Sequence, residues 1–161
     1  MSVDGTDCHI PEHGRDWYSQ KIKKLAVCYK VAVSILGGDI CWISGPYQPG
    51  VYNDLDIFWA SLATFLESFE WVEADDEYLG EAPLRVKCPA SITIPEERKK
   101  MMSWVRSHQE TVNKYFKQWG ISTQVYCHDL ACHRDVFAAI CVVTQSTIRN
   151  VEPLFEVEYE D

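Results

Sequence analysis

Four acidic residues stand where carboxylates can do metal chemistry: Asp4 in a first strand-like stretch, Asp54 just before a helical pattern, Asp75 at the end of a brief strand pattern and Glu110 within a second helical pattern. Cleavage or transfer at a phosphodiester is commonly run by two Mg2+ ions about 4 Å apart, which clamp the attacking and leaving oxygens. Such hard cations take oxygen ligands, so the chemistry needs several carboxylates converging on one edge of a sheet. Each acid also has a plain structural role. Asp54 can cap its helix, and Asp75 belongs to an acidic run (Glu73, Asp75, Asp76, Glu77) that suits a solvated loop. Glu110 can pair with Arg106 or Lys114 one turn away, and Asp4 can serve a turn beside Gly5.

The elements that must position these acids follow from the apolar pattern. Residues 2–10 mix Val, Thr and Ile with acids, and 25–36 form an almost continuous apolar run that reads as a buried strand. Gly37, Gly38 and Asp39 supply a tight turn, 40–44 read as the hairpin partner, and Pro46, Pro49 and Gly50 end that unit. Apolar residues at 55, 58, 59, 62, 65, 66 and 69 predict a first long helix, with Asn53 or Asp54 at its cap. A short strand over 71–75 and a loop with Gly80, Pro83 and Pro89 follow. A second helix starts near Pro95, striped by Met102, Val105, Val112, Phe116 and Trp119 and closed by Gly120. Arg106, Glu110, Asn113, Lys114 and Lys117 lie on or beside its polar face. A last helix over 130–147 carries Val136, Phe137, Ile140, Cys141 and Val143, and 152–161 form an acidic, peripheral tail. The order strand, strand, strand, helix, strand, helix, helix predicts an α/β fold, a mixed sheet with helices packed on it, as in ribonuclease H.

Composition sets the outer limits. The 161 residues are 47% hydrophobic with six Trp, which excludes disorder and suits one domain spanning 1–161. The 24 acidic against 15 basic residues argue against a simple basic nucleic-acid module, because phosphate binding relies on Lys and Arg displacing counterions. The seven cysteines are odd in number and form no CxxC pair, and no secretory signal pattern precedes them, so reduced intracellular thiols are expected. Cys127, His128, Cys132 and His133 offer soft ligands for a zinc-stabilised module, although their spacing matches no usual zinc pattern. The longest apolar run, 136–143, is too short to cross a bilayer, so no membrane is expected as a partner.

Four blocks in order resemble the PIF/Harbinger-type DDE transposases and their domesticated nuclease relatives. They are Asp4-Gly5-Thr6-Asp7; Gly45 to Gly50 running into Asn53-Asp54 and Ile57-Phe58; Asp75-Asp76-Glu77-Tyr78; and Arg106 to Phe116 around Glu110. The family pattern is DGT, then PG followed by HDS, then GDxGY, then a helix with Glu a few residues before Phe. The 34 residues between Asp75 and Glu110 match the family spacing. Asn53 stands in place of the family's His, Glu77 in place of its Gly, and Asp76 beside Asp75 leaves open which of the two is the ligand.

The resemblance implies a ribonuclease-H-like catalytic domain with Asp4, Asp75 and Glu110 as the catalytic, metal-binding triad and Asp54 as an additional metal ligand. It implies Mg2+ or Mn2+ as cofactor, DNA as substrate and a nuclear location. The basic residues Arg106, Lys114 and Lys117 become candidate DNA contacts, and Trp17, Tyr18 and Trp104 candidate stacking platforms. Met1 stands three residues before Asp4, so the resemblance implies an N-terminally truncated copy, with a separate DNA-binding protein as partner. The competing reading is a catalytically inactive, domesticated relic that serves protein interaction.

Overall fold

The apolar run after Lys24 becomes the centre of the molecule. In the computed structural model, which describes residues 1–11, 13–82, 84–90 and 95–156, strand β3 (Lys24–Val33) is buried at every residue from Ala26 to Val33. A strand reads as continuously apolar when both of its faces are covered, and here they are. Val27, Tyr29, Val31 and Val33 pack on one face against α2 (Glu96–Phe116) and α4 (His133–Asn150), through Val112, Phe116, Phe137 and Ile140. Ala32 faces the other way, into a second core with Phe58 of α1 (Asp54–Ala60), Val72, Tyr78 and Val86.

Among the described residues six strands form the mixed sheet. β1 (Ser2–His9) pairs antiparallel along β3 from Ser2 opposite Val33 to His9 opposite Ala26. β4 (Ile40–Tyr47) and the two-residue β2 (Tyr18–Ser19) also pair antiparallel with β3. Beyond β1 the order continues to β5 (Val72–Glu73) and β6 (Val86–Lys87), both joined in parallel. The fold is α/β, with a six-stranded mixed sheet and helices on it. Among the described residues no helix is long and apolar enough to cross a membrane.

Several expected boundaries move, for local reasons. The stripe from 55 to 69 is not one helix: α1 ends at Ala60 because Ser61 leaves helical geometry (φ -135, ψ -78), and a single 3-10 turn, Leu62–Thr64, follows. Leu62 and Leu66 still reach the core, whereas Phe65 and Phe69 are 70% and 76% exposed. Helix α2 stops at Phe116, leaving Trp119 on the surface, and Gly120 opens the one-turn α3 (Gly120–Thr123) instead of closing α2. The last helix begins at His133 after a 3-10 turn and runs to Asn150, and β4 continues past Ser44 to Tyr47. The short strand near 71–75 is only Val72–Glu73. The stretch read as a loop around Gly80 and Pro89 holds a 3-10 helix, Asp76–Glu81, and β6. Pro83 and residues 157–161 of the acidic tail lie outside the described residues.

Candidate metal centre

One register pair aligns the site. β1 and β5 run parallel and are joined at Ser2 and Glu73, where the Glu73 amide donates to the Met1 carbonyl (2.8 Å). Two residues further along each strand come Asp4 and Asp75, so the parallel register carries both to the same height, where the ladder has ended. An opening at the carboxyl ends of parallel strands is where α/β sheets commonly take ligands. Asp4 and Asp75 each line two adjoining cavities. The first, about 270 Å³, also bears Lys21, Arg106, Gln109 and Glu110; the second, about 450 Å³, bears Lys30, Asp54 and Glu77.

Each acid is held by a definite partner. Asp4 accepts from the Gly5 amide (2.6 Å) and from Lys21 Nζ (3.4 Å) on Oδ1, and from Asn113 Nδ2 of α2 (2.8 Å) on Oδ2. Asn53, not Asp54, caps α1, its side chain accepting from the Asp56 amide (2.8 Å). Asp54 is thereby released to meet Lys30 Nζ at 2.5 Å. Asp75 caps the 3-10 helix and accepts from the Glu77 amide (3.0 Å), whereas Asp76 turns to its own loop and accepts from the Ala90 amide (3.0 Å). Carboxylate oxygens of Asp54, Asp75 and Glu77 lie within 4.8 Å of one another, the one group of three potential metal ligands among the described residues. Oxygen donors of this kind suit a hard divalent ion. Glu110 lies across the first cavity, exposed, and forms no ion pair with Arg106 or Lys114 among the described residues. Arg106, Lys114 and Lys117 are all exposed on α2 or at its end, and Trp104 is half-exposed with Lys100 Nζ 5.2 Å from its ring centre.

Crowding shows in the proton affinities. Burial, then a hydrogen bond with Asp54 and the charges of Asp54 and Asp75, push the Glu77 carboxyl up to about 7. Burial, with the charges of Asp54 and Asp4, also raises Asp75. For Lys30, burial works against the ammonium, but Cys28, Asp54 and Asp4 more than restore it and its affinity rises. Between the ordinary glutamate value and about 7 the folded chain therefore keeps a proton on Glu77 that the unfolded chain has released. The sign follows: without divalent ions, stability falls as pH rises through that window. The expected result in chelator is a melting temperature that declines from pH 5 to about 7.5 and declines less in Glu77→Gln. Parallel profiles for the two proteins would contradict the assignment.

The soft-ligand alternative does not form. His133 is fully buried and its Nδ1 meets the Tyr29 hydroxyl at 2.8 Å, while Cys127, His128 and Cys132 are exposed and no Cys/His group of three converges among the described residues. Among the described residues none of the seven cysteines forms a disulfide. Two contributors were not picked out as site groups from the sequence, Asn113 and Lys30; Glu77, which in place of the family's Gly brings a negative charge that could add a ligand or repel DNA, was expected near the site but not beside Asp54. Lys30 did leave a signal, being the one charged residue in the apolar run 25–36, since an unpaired lysine is almost never fully buried. The chain matches no known family model, no curated protein and no solved structure.

Proposed function

We propose that this chain is a ribonuclease-H-like catalytic domain that cleaves DNA phosphodiester bonds with divalent-metal assistance, of the PIF/Harbinger DDE type. The observation that carries the reading is the parallel register that sets Asp4 level with Asp75, beside carboxylates of Asp54 and Glu77 within 4.8 Å of Asp75. The strand order supports it too: three long antiparallel strands, then two short strands parallel to β1, with α2 returning across the sheet to offer Glu110 to the first cavity. Asp54, Asp75 and Glu77 would hold Mg2+ or Mn2+, with Asp4 and Glu110 on the adjoining wall. A bound ion there would lower the pKa of an attacking water and neutralise charge developing on the phosphate.

The remaining work falls to this chain's own groups. Asn113 fixes the orientation of Asp4 by donating to one carboxylate oxygen, leaving the other turned toward Lys21. Lys21 and Arg106, both exposed at the rim of the first cavity, are placed to receive phosphate oxygens, and Lys114 and Lys117 continue the basic row along α2. A nuclear location and a separate basic DNA-binding protein go with this reading, because the chain's own charge is -9.

A second reading, an inactive relic acting as a protein-interaction module, is favoured by the exposed Phe65 and Phe69. Plasmid nicking separates the two. Nicking in Mg2+ or Mn2+ that stops on adding EDTA is expected, and intact plasmid with both ions at millimolar concentration would leave the second reading.

A further inference from the structure

We propose that this chain pairs with a second copy of itself through the outer edge of β4, two antiparallel strands meeting across a two-fold axis with the flanks of both α4 helices beside the seam. Among the described residues β4 is bonded on one side only, to β3, so its other side presents unpaired backbone groups. Edge strands are commonly blunted by charged side chains, but Ile40–Tyr47 contains none, and Cys41 and Ile43 stand exposed on it. Two features bound the usable stretch. The Ile40 amide already donates to Gln145 Oε1 of α4 (2.6 Å), and Pro46 has no N–H to offer. Cys41 to Ser44 remain open.

Shape and charge both suit a second copy. Two cavities of about 720 and 380 Å³, which share Ile43 and Ala138, run between β4 and α4, and the larger exposes Val142 of α4 (71%). On a chain of net charge -9, none of the residues lining either cavity is acidic, so two copies can approach here without carboxylate facing carboxylate. Asp39, two residues before Cys41, has Oδ1 engaged by Gln145 Nε2 (2.5 Å) and Arg149 Nε (2.9 Å), while its Oδ2 accepts nothing among the described residues. Arg134 lines the smaller cavity with Ser44 to Tyr47, at the other end of β4; it is exposed and forms no ion pair among the described residues. When Cys41 to Ser44 pair antiparallel about a two-fold axis, Cys41 lies opposite the partner's Ser44 and Asp39 opposite the partner's Pro46, next to the partner's Arg134. Symmetry makes that contact twice. The acidic tail is the rival occupant, but it is led away from β4, onto α2, where the Phe155 carbonyl accepts from His108 Nε2.

Sedimentation velocity across the micromolar range in reducing buffer, with circular dichroism to verify folding, is the test. The unmodified chain is expected to form a reversible dimer and Ile43→Lys to be monomeric. Arg134→Glu, at an exposed position, is expected to raise the dimer dissociation constant at least about tenfold, and less in high salt, because it sets a negative charge against the partner's Asp39. Phe69→Lys, which charges an exposed apolar residue outside both cavities, is expected to dimerise like the unmodified chain, as is the double change Val157→Lys with Tyr159→Lys in the acidic tail. A monomer at every concentration would overturn the proposal, and so would a dimer left intact by folded Ile43→Lys. Dissociation caused by the Phe69 or the tail change would overturn it in favour of that surface. An unchanged dissociation constant in Arg134→Glu would overturn the antiparallel register, and this arm stands whether or not Ile43→Lys folds.

Discussion

Asp75→Asn is expected to lower the proposed metal-dependent DNA cleavage at least about 100-fold, and Asp76→Asn to stay close to the unmodified chain. The magnitude is a lower bound from the general finding that groups one step removed from a bound metal already change affinity or activity about 10–100-fold. The contrast between neighbours is the sharper part. Asp75 lines both cavities and has a carboxylate oxygen within 4.8 Å of those of Asp54 and Glu77, whereas Asp76 accepts from the Ala90 amide and belongs to its loop. Asn keeps the shape and the capping oxygen that receives the Glu77 amide, so the loss is read as charge and not as unfolding. The measurement is single-turnover plasmid nicking of both variants at matched folding. Activity retained in Asp75→Asn, or lost equally in Asp76→Asn, would refute the assignment.

Phe58→Ala costs about 3–5 kcal/mol, the range for emptying a fully buried aromatic position, and for a domain of this size lowers the melting temperature by about 10 °C or more. Phe58 is 1% exposed and meets the buried Tyr78 edge to face, ring centres 6.1 Å apart. Those two rings join α1, which begins with Asp54, to the 3-10 helix that Asp75 caps and that contains Glu77. The substitution therefore removes the contact between the elements that carry Asp54 and Glu77, and the rise in melting temperature expected of the unmodified chain on adding Mg2+ should be smaller in the variant, because the acids are less firmly held. Trp59, the next residue, is 49% exposed and donates from its indole to Glu81 at 2.7 Å. Its replacement by Ala is expected to cost much less, and an equal or larger loss from Trp59→Ala would contradict this account of the packing.

How far the sequence could be read depended on the length of each pattern. The run through β3 and the stripe of α2 over Met102, Val105, Val112 and Phe116 repeat often enough to reveal both element and face, whereas in α4 Phe137, Ile140 and Cys141 are buried but Val136 and Val143 are exposed. β2, β5 and β6 have two residues each, too few for alternation to register, and β5 was seen only approximately. The stripe from 55 to 69 misled because burial of Leu62 and Leu66 does not require a continuous helix once Ser61 breaks it. At the site, Asp4 was visible as an acid in the first strand and Asp75 as one at the end of a later strand. What stayed hidden was cross-strand placement: that Gly5 faces Lys30, that Asn113 reaches Asp4, and that Glu77 folds back on Asp54. These depend on register and on the tight turn after Asp75, which no short-range pattern carries.

The ladder pair between Ser2 and Glu73 makes the placement of Asp4 beside Asp75 all-or-nothing. Side chains alternate across a strand with a period of two, so a slip of β1 by one residue would not shift Asp4 slightly; it would send the carboxylate through the sheet to the side that Val3 and Gly5 now occupy. Asp4 thus has no partially aligned arrangement to relax into. A population of this chain would divide into molecules with Asp4 level with Asp75 and molecules with Asp4 on the opposite face, Asp54, Asp75 and Glu77 keeping their places in both, and a graded loss of what Asp4 contributes would report how many molecules are in register.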